Sequence, residues 1–165
     1  MTAVAIDQER ARFAAARLEL RFGRWQGRKD PAKKYRSVAL DAAVRVRQIG
    51  LLQALAFWLS KHSDNREAEH ELVEDLMTWL VSSKNEEVYR LLVASAAPAR
   101  RAVGSAPSQA MSILPPLLER TSLELAALEA EAVSYLGWLK RIFEGWWVVT
   151  HKGESDSQGS SGAEP

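Results

Sequence analysis

The sequence predicts an all-α fold, a single-domain helical bundle of about six helices. Three observations carry this. Apolar residues recur three and four apart along most of the chain, and no strand-like alternation or internal repeat is present. Gln48 to Lys61, QIGLLQALAFWLSK, is apolar around so much of a helix that it is expected at the centre of a small protein. Thr121-Ser122-Leu123-Glu124 matches a capping box and opens the most regular helical segment. The 165 residues suffice for one domain with a core, and 47% hydrophobic and 26% charged residues are ordinary for a soluble globular chain.

Residues 1–30 are expected to be a basic amphipathic helix and its exit, residues 31–150 the main helical domain, and residues 151–165 a disordered tail. In the first helix, expected over 4–28, Ala11, Ala14, Ala15, Leu18, Phe22 and Trp25 share an apolar face. Arg10, Arg17, Arg21, Arg24 and Arg28 fall within an arc of about 60° beside it. Gly27-Arg28-Lys29-Asp30-Pro31 breaks the helix, with Asp30 as candidate N-cap of the next. That helix runs to about Gln48 and buries Tyr35, Val38, Ala39, Ala42, Val46 and Ile49. Lys33, Arg36 and Arg47 share one flank; Lys34 and Arg45 share the other. Gly50 either ends it as a left-handed cap or kinks a continuous helix.

The central helix follows, and then a polar turn at 62–66. Glu67 to Val81 is amphipathic, with Leu72, Val73, Leu76, Trp79 and Leu80 inward and an acidic outer face of Glu67, Glu69, Glu71, Glu74 and Asp75. Short helices are expected near 85–92 and 108–114, separated by an Ala/Pro/Gly/Ser-rich segment at 98–108. After the capping box, Leu125, Ala132, Leu139 and Trp146 recur every seven residues, as do Leu128, Tyr135 and Ile142. Lys140 and Arg141 project away from that seam. From Gly153 the composition is that of a disordered tail.

Net charge is +1, but residues 1–50 hold twelve Lys/Arg against five Asp/Glu, and the remainder ten against sixteen. Such segregation fits a polyanion partner, contact between neighbouring copies, or a solvated basic helix face. Without cysteine, disulfides, thiolate catalysis and cysteine-ligated zinc are excluded. Asp7, Glu9, Arg10 and Arg12 interrupt any secretory-type apolar run, so a cytoplasmic location is expected. No run approaches the 20 or so apolar residues of a membrane span.

The histidines are His62, His70 and His151. Glu67 and His70 form one Glu-x-x-His, but a di-metal site needs a second, and neither Glu131 nor Glu144 has a histidine at that spacing. No phosphate-binding glycine loop or GxSxG is present. No catalytic residue, metal ligand, cofactor, membrane or small-molecule substrate is therefore expected. Of the six tryptophans, Trp58, Trp79 and Trp138 fit buried faces, whereas Trp25, Trp146 and Trp147 sit near helix ends. Those three either staple helix ends to the core or anchor a protein contact.

Two segments carry a resemblance. One runs from Tyr35-Arg36-Ser37 through Ile49-Gly50-Leu51-Leu52-Gln53-Ala54-Leu55-Ala56-Phe57 to Lys61. The other runs from Glu131-Ala132 through Tyr135-Leu136-Gly137-Trp138-Leu139-Lys140-Arg141. Together they resemble the small helical subunit of the type III-B (Cmr) CRISPR RNA-targeting effector complex, over about residues 33–145 and outside the arginine-striped helix. Leu125 and Glu129 stand where that family often has Tyr and Thr. The resemblance implies a non-catalytic subunit in antiviral defence. It also implies that copies stack into a minor filament beside the crRNA-bound backbone subunits and help to hold target RNA. It carries over to Gln53, Lys61, Lys140 and Arg141 as matched polar positions. RNA-contact candidates are then Arg10, Arg17, Arg21, Lys33, Arg36, Arg47, Lys61, Lys140 and Arg141. Protein-contact candidates are Gln53, Trp25, Trp146 and Trp147. The alternatives are the small subunit of a related type III complex and a helical adaptor that does not touch RNA. A di-metal carboxylate enzyme is a third.

Overall fold

A computed structural model describes residues 3–26, 28–60, 67–82 and 117–151. Five helices span these residues: α1 Ala3–Trp25, α2 Lys29–Ile49, α3 Leu51–Ser60, α4 Glu67–Leu80 and α5 Ser122–His151. The expected turn at 62–66, the short helices near 85–92 and 108–114, the segment 98–108 and the tail from Gly153 lie outside them. The described chain is all-α.

The largest helix–helix contact is α2 against α5, followed by α1 against α5. Arg10 meets Glu131, Phe13 meets Tyr135 and Phe22 stacks on Trp146, so α1 and α5 run parallel. Arg36 reaches Glu144 while the start of α3 reaches Glu129, so α2 runs antiparallel to α5. Trp25, Arg17 and Phe13 meet Glu71, Asp75 and Trp79 in that order, so α4 is antiparallel to α1. One core joins all five helices, with Leu18, Tyr35, Trp58, Trp79 and Tyr135 among its least accessible side chains.

The helix most enclosed is α4, not α3. Ten of its fourteen residues are buried, including Glu69, Glu71 and Asp75. The acidic face expected to look outward is therefore largely interior. Opposite charges on α1 cancel what hydropathy alone would keep in water. Apolar α3 lies to one side: Leu51, Ala54, Leu55 and Trp58 are buried, whereas Gln53, Ala56 and Ser60 face out.

Local chemistry sets the boundaries. The chain leaves α1 through Gln26 at φ 48°, and α2 begins at Lys29. Asp30 lies inside its first turn rather than at the N-cap, where its charge still complements the exposed helix amides. Pro31 is tolerated because first-turn N–H groups lack intrahelical acceptors. Gly50 ends α2 at φ 84° and ψ 157°, a region open essentially to glycine alone, so it is not the left-handed cap expected. Its N–H donates to the Val46 carbonyl, and its own carbonyl accepts from Ala54, so one residue closes α2 and opens α3. The Thr121 and Glu124 capping box forms as expected, Thr121 N–H donating to Glu124 Oε2 at 2.9 Å and Glu124 N–H to Thr121 Oγ1 at 3.3 Å.

On α5 the buried line is Leu128, Ala132, Tyr135, Leu136, Leu139 and Phe143, with Leu125 and Ile142 half-buried. A strict seven-residue seam would require supercoiling; a straight helix drifts by about 20° per heptad, which brings Phe143 inward in place of Ile142.

A candidate nucleic-acid interface across α2 and α5

The cations of this chain fall into two populations. The first is internal. Arg21 is 1% exposed. Its guanidinium donates to both Asp75 oxygens, at 2.8 and 3.2 Å, to the Glu71 side chain and backbone carbonyl, and to Glu74. Arg17 Nε donates to Asp75 Oδ1 at 2.6 Å and its other arm to Glu74. Tyr35 Oη donates to Asp75 Oδ2 at 2.6 Å, and the Trp25 indole N–H to Glu71 Oε2 at 3.3 Å. Two guanidiniums thus serve three carboxylates, Asp75 and Glu71 buried and Glu74 reaching the surface. Burial pushes the Glu71 carboxyl above its ordinary range, more than the Arg21 charge pulls it down. Burial also raises Glu74, but hydrogen bonds from Arg21 and Arg17 outweigh it and hold that carboxyl low. Burial and the adjacent Asp75 keep the Tyr35 phenol far from ionising.

Arg10 belongs to the same population one end further on. It grips both oxygens of Glu131, whose Oε1 also accepts from the Trp79 indole at 2.8 Å, and it pairs with Asp7. Glu131, which could have been a metal ligand, is thus held by an arginine and a tryptophan. Among the described residues no group of three His, Asp or Glu side chains is placed to hold a metal ion.

The signal for this burial was present in the sequence. Ile6 and Phe13 lie on the far side of the arginine line from Leu18 and Phe22, so the stripe runs through the middle of an apolar face. Glu71, Glu74 and Asp75, spaced three and one apart, present carboxylates at the spacing of Arg17 and Arg21.

The second population faces outward. Lys33 and Arg47 are exposed on one flank of α2, with Arg36 half-exposed between them. Arg36 lies 3.9 Å from Glu144 and its guanidinium stands 5.4 Å from the centre of the Trp147 ring. On α5, Lys140 is one turn before Glu144 and two before Trp147, and so shares the face that meets α2. Val133, two turns earlier still, lies beside Arg47. Lys33, Arg36, Lys140 and Arg47 therefore follow one another along the α2–α5 seam, over half-exposed Leu40 and exposed Val44. Lys33, Lys140 and Arg47 have no carboxylate partner among the described residues. Arg141 projects from the other side of α5 and stacks on Trp138 at 5.2 Å.

Lys61 lies outside the described residues. Gln53 is exposed on the outer face of α3. Trp25 is 3% exposed, within the core. Trp146 and Trp147 are half-buried against Phe22 and Phe143. The seam face is hidden from sequence reasoning as a unit because it joins residues a hundred apart in the chain.

Residues 6–146 match the model of a family described as CRISPR-associated protein, Cas_Cmr5. The chain belongs to that family. As a Cas_Cmr5 chain it is a CRISPR-associated small subunit of the Cmr, type III-B, kind. The match begins at Ile6, so it takes in the arginine-bearing helix α1, which lies outside the motif resemblance. No curated protein matches the chain. No helix among the described residues is long and apolar enough to cross a membrane.

Proposed function

We propose that this Cas_Cmr5 chain is a non-catalytic subunit that holds target RNA against the guide-bearing backbone through the α2–α5 seam. Copies stack into a minor filament, and nuclease chemistry belongs to other subunits of the complex. The observation that carries the RNA reading is the line Lys33, Arg36, Lys140 and Arg47. Lys33 and Arg47 are exposed, Arg36 and Lys140 half-exposed, and among the described residues only Arg36 of the four has a carboxylate within 4 Å, at 3.9 Å. Arg10, Arg17 and Arg21 have their donors committed within the fold, so they support the interface by holding α1 and not by touching phosphate. Cations without bases to read neutralise RNA phosphates irrespective of sequence, and base pairing with the guide supplies specificity. Gln53, exposed with Ala56 and Ser60 on α3, offers a separate protein-contact face.

The test is single-stranded RNA binding by the purified chain across a salt series. Replacing Lys33, Arg36, Arg47 and Lys140 by Ala should flatten the slope of log affinity against log salt by about 0.7 for each phosphate no longer neutralised. Arg141→Ala, on the far side of α5, should leave the slope unchanged. A four-site variant with the parental slope would overturn the assignment of this face. A parent chain that binds no RNA at any salt would overturn the RNA role and leave assembly.

A further inference from the structure

At its Arg47 end the basic seam opens into a groove of about 470 Å³ between the last turn of α2 and the first half of α5. Leu125, Ala126 and Val133 line its apolar floor, and Arg47, Ser122 and Glu129 supply its polar groups. Glu129 is held in place from one side only. Its Oε2 accepts the Leu51 backbone N–H at 3.1 Å, the first amide of α3. A Cβ at Gly50 would sit 3.5 Å from that oxygen, in ordinary contact, so the backbone at φ 84° and not lack of space calls for glycine at this joint. Oε1 meets no donor among the described residues.

We propose that this groove receives one unstacked nucleobase of the RNA whose phosphates follow the seam, with Arg47 on the adjacent phosphate and Glu129 Oε1 accepting from an exocyclic amino group. This rests on the RNA reading above and adds a base subsite to it. The chemistry selects this occupant. A phosphate alone would face the Glu129 carboxylate. An aliphatic protein side chain would cover Glu129 and Arg47 without pairing either, at the cost of desolvating both. A base has apolar faces for the floor, a hydrogen-bonding edge for Glu129 and a phosphate for Arg47. Bases of single strands are commonly read in this way, by packing their faces and bonding their edges. An ionised carboxylate only accepts. Cytosine, which presents an amino group, is therefore favoured over uracil, which presents an oxygen at the same place.

The experiment compares cytidine and uridine oligomers of one length on the purified chain, in the same salt series. The parent should prefer cytidine by about tenfold, the effect of one hydrogen bond to a charged group. Glu129→Gln keeps an oxygen for the Leu51 amide and turns an NH2 group toward the base, so the preference should vanish or reverse. Ala126 is exposed on α5, and Ala126→Leu should fill the groove, weakening binding at every salt concentration without changing the slope. Arg47→Ala should flatten the slope by about 0.7. RNA binding that ignores base identity, or Ala126→Leu binding at parental strength, would overturn the subsite while the seam assignment stands. Absence of RNA binding by the parent would overturn both.

Discussion

Asp75 is the residue on which the interior charges converge. It accepts from Arg17, Arg21 and Tyr35 and is wholly inaccessible. Removing it leaves two guanidiniums enclosed without their shared partner, so Asp75→Ala should destabilise by about 3–5 kcal/mol. Glu71 is the opposite case. It is the third carboxylate against two arginines, and its pKa is raised because burial exceeds the help from Arg21. Its folded form holds a proton that the unfolded chain has already lost between the ordinary carboxylate value, about 4.3, and the raised one. Parental stability due to Glu71 is therefore present below that interval and declines as pH rises through it. Glu71→Gln, which keeps an acceptor for Trp25, should remove this decline and change stability at acid pH by less than about 1 kcal/mol. Urea melts of parent and variant across the interval read both effects; a parallel pair of curves would refute the assignment. The residue types were legible in the sequence. Their pairing was not, because hydropathy scores an arginine and a glutamate as outward wherever each stands. Only the approach of α1 to α4 makes them mutual solvents.

Helix type and approximate extent were legible element by element. The Thr121 and Glu124 box, the Gly50 break and the periodic apolar positions of α2 and α5 are local signals, and local signals survive folding. Which helix sits innermost is a relation among elements. The apolar segment 51–60 was expected in the middle, yet charged α4 holds that place, because its carboxylates arrive there already paired. The joint between α2 and α3 is likewise local in one half and distant in the other. Gly50 supplies the backbone geometry; Glu129, on α5, supplies the acceptor that a local N-cap side chain would provide. Gly50→Ala should cost about 1–3 kcal/mol, since its φ and ψ exclude a side chain, even though space for a Cβ exists. Glu129→Ala should cost about 1 kcal/mol, the usual loss on removing a cap. Thermal melts distinguish the causes. A double variant less destabilised than the sum of its parts would show that the strained glycine and the distant carboxylate act on one joint.

The segregation of positive charge into residues 1–50 and negative charge into the remainder resolves differently at the scale of the whole molecule. Arg10, Arg17, Arg21 and Arg36 from the first part meet Glu131, Asp75, Glu71, Glu74 and Glu144 from the second. Much of the asymmetry is thus an intramolecular attraction that docks α1 and α2 on the other helices. What remains for an outside polyanion is the smaller set along the α2–α5 seam, with Arg36, 3.9 Å from Glu144, belonging to both sets. The two sets should respond differently to salt. Arg10, Arg17 and Arg21 side chains are 14%, 16% and 1% accessible and are little screened. Lys33 and Arg47 of the seam are exposed and Arg36 and Lys140 half-exposed, and at 1 M salt the screening length in solvent is about 3 Å. Raising salt from about 0.05 to 1 M should therefore release single-stranded RNA while moving the melting temperature by no more than a few degrees. Titrating one sample by RNA binding and thermal melting tests this directly. A melting temperature that falls in step with RNA release would mean that the arginines of α1 are solvated and that the two populations are one. Independent behaviour would separate the charges that build the subunit from the charges by which it holds RNA.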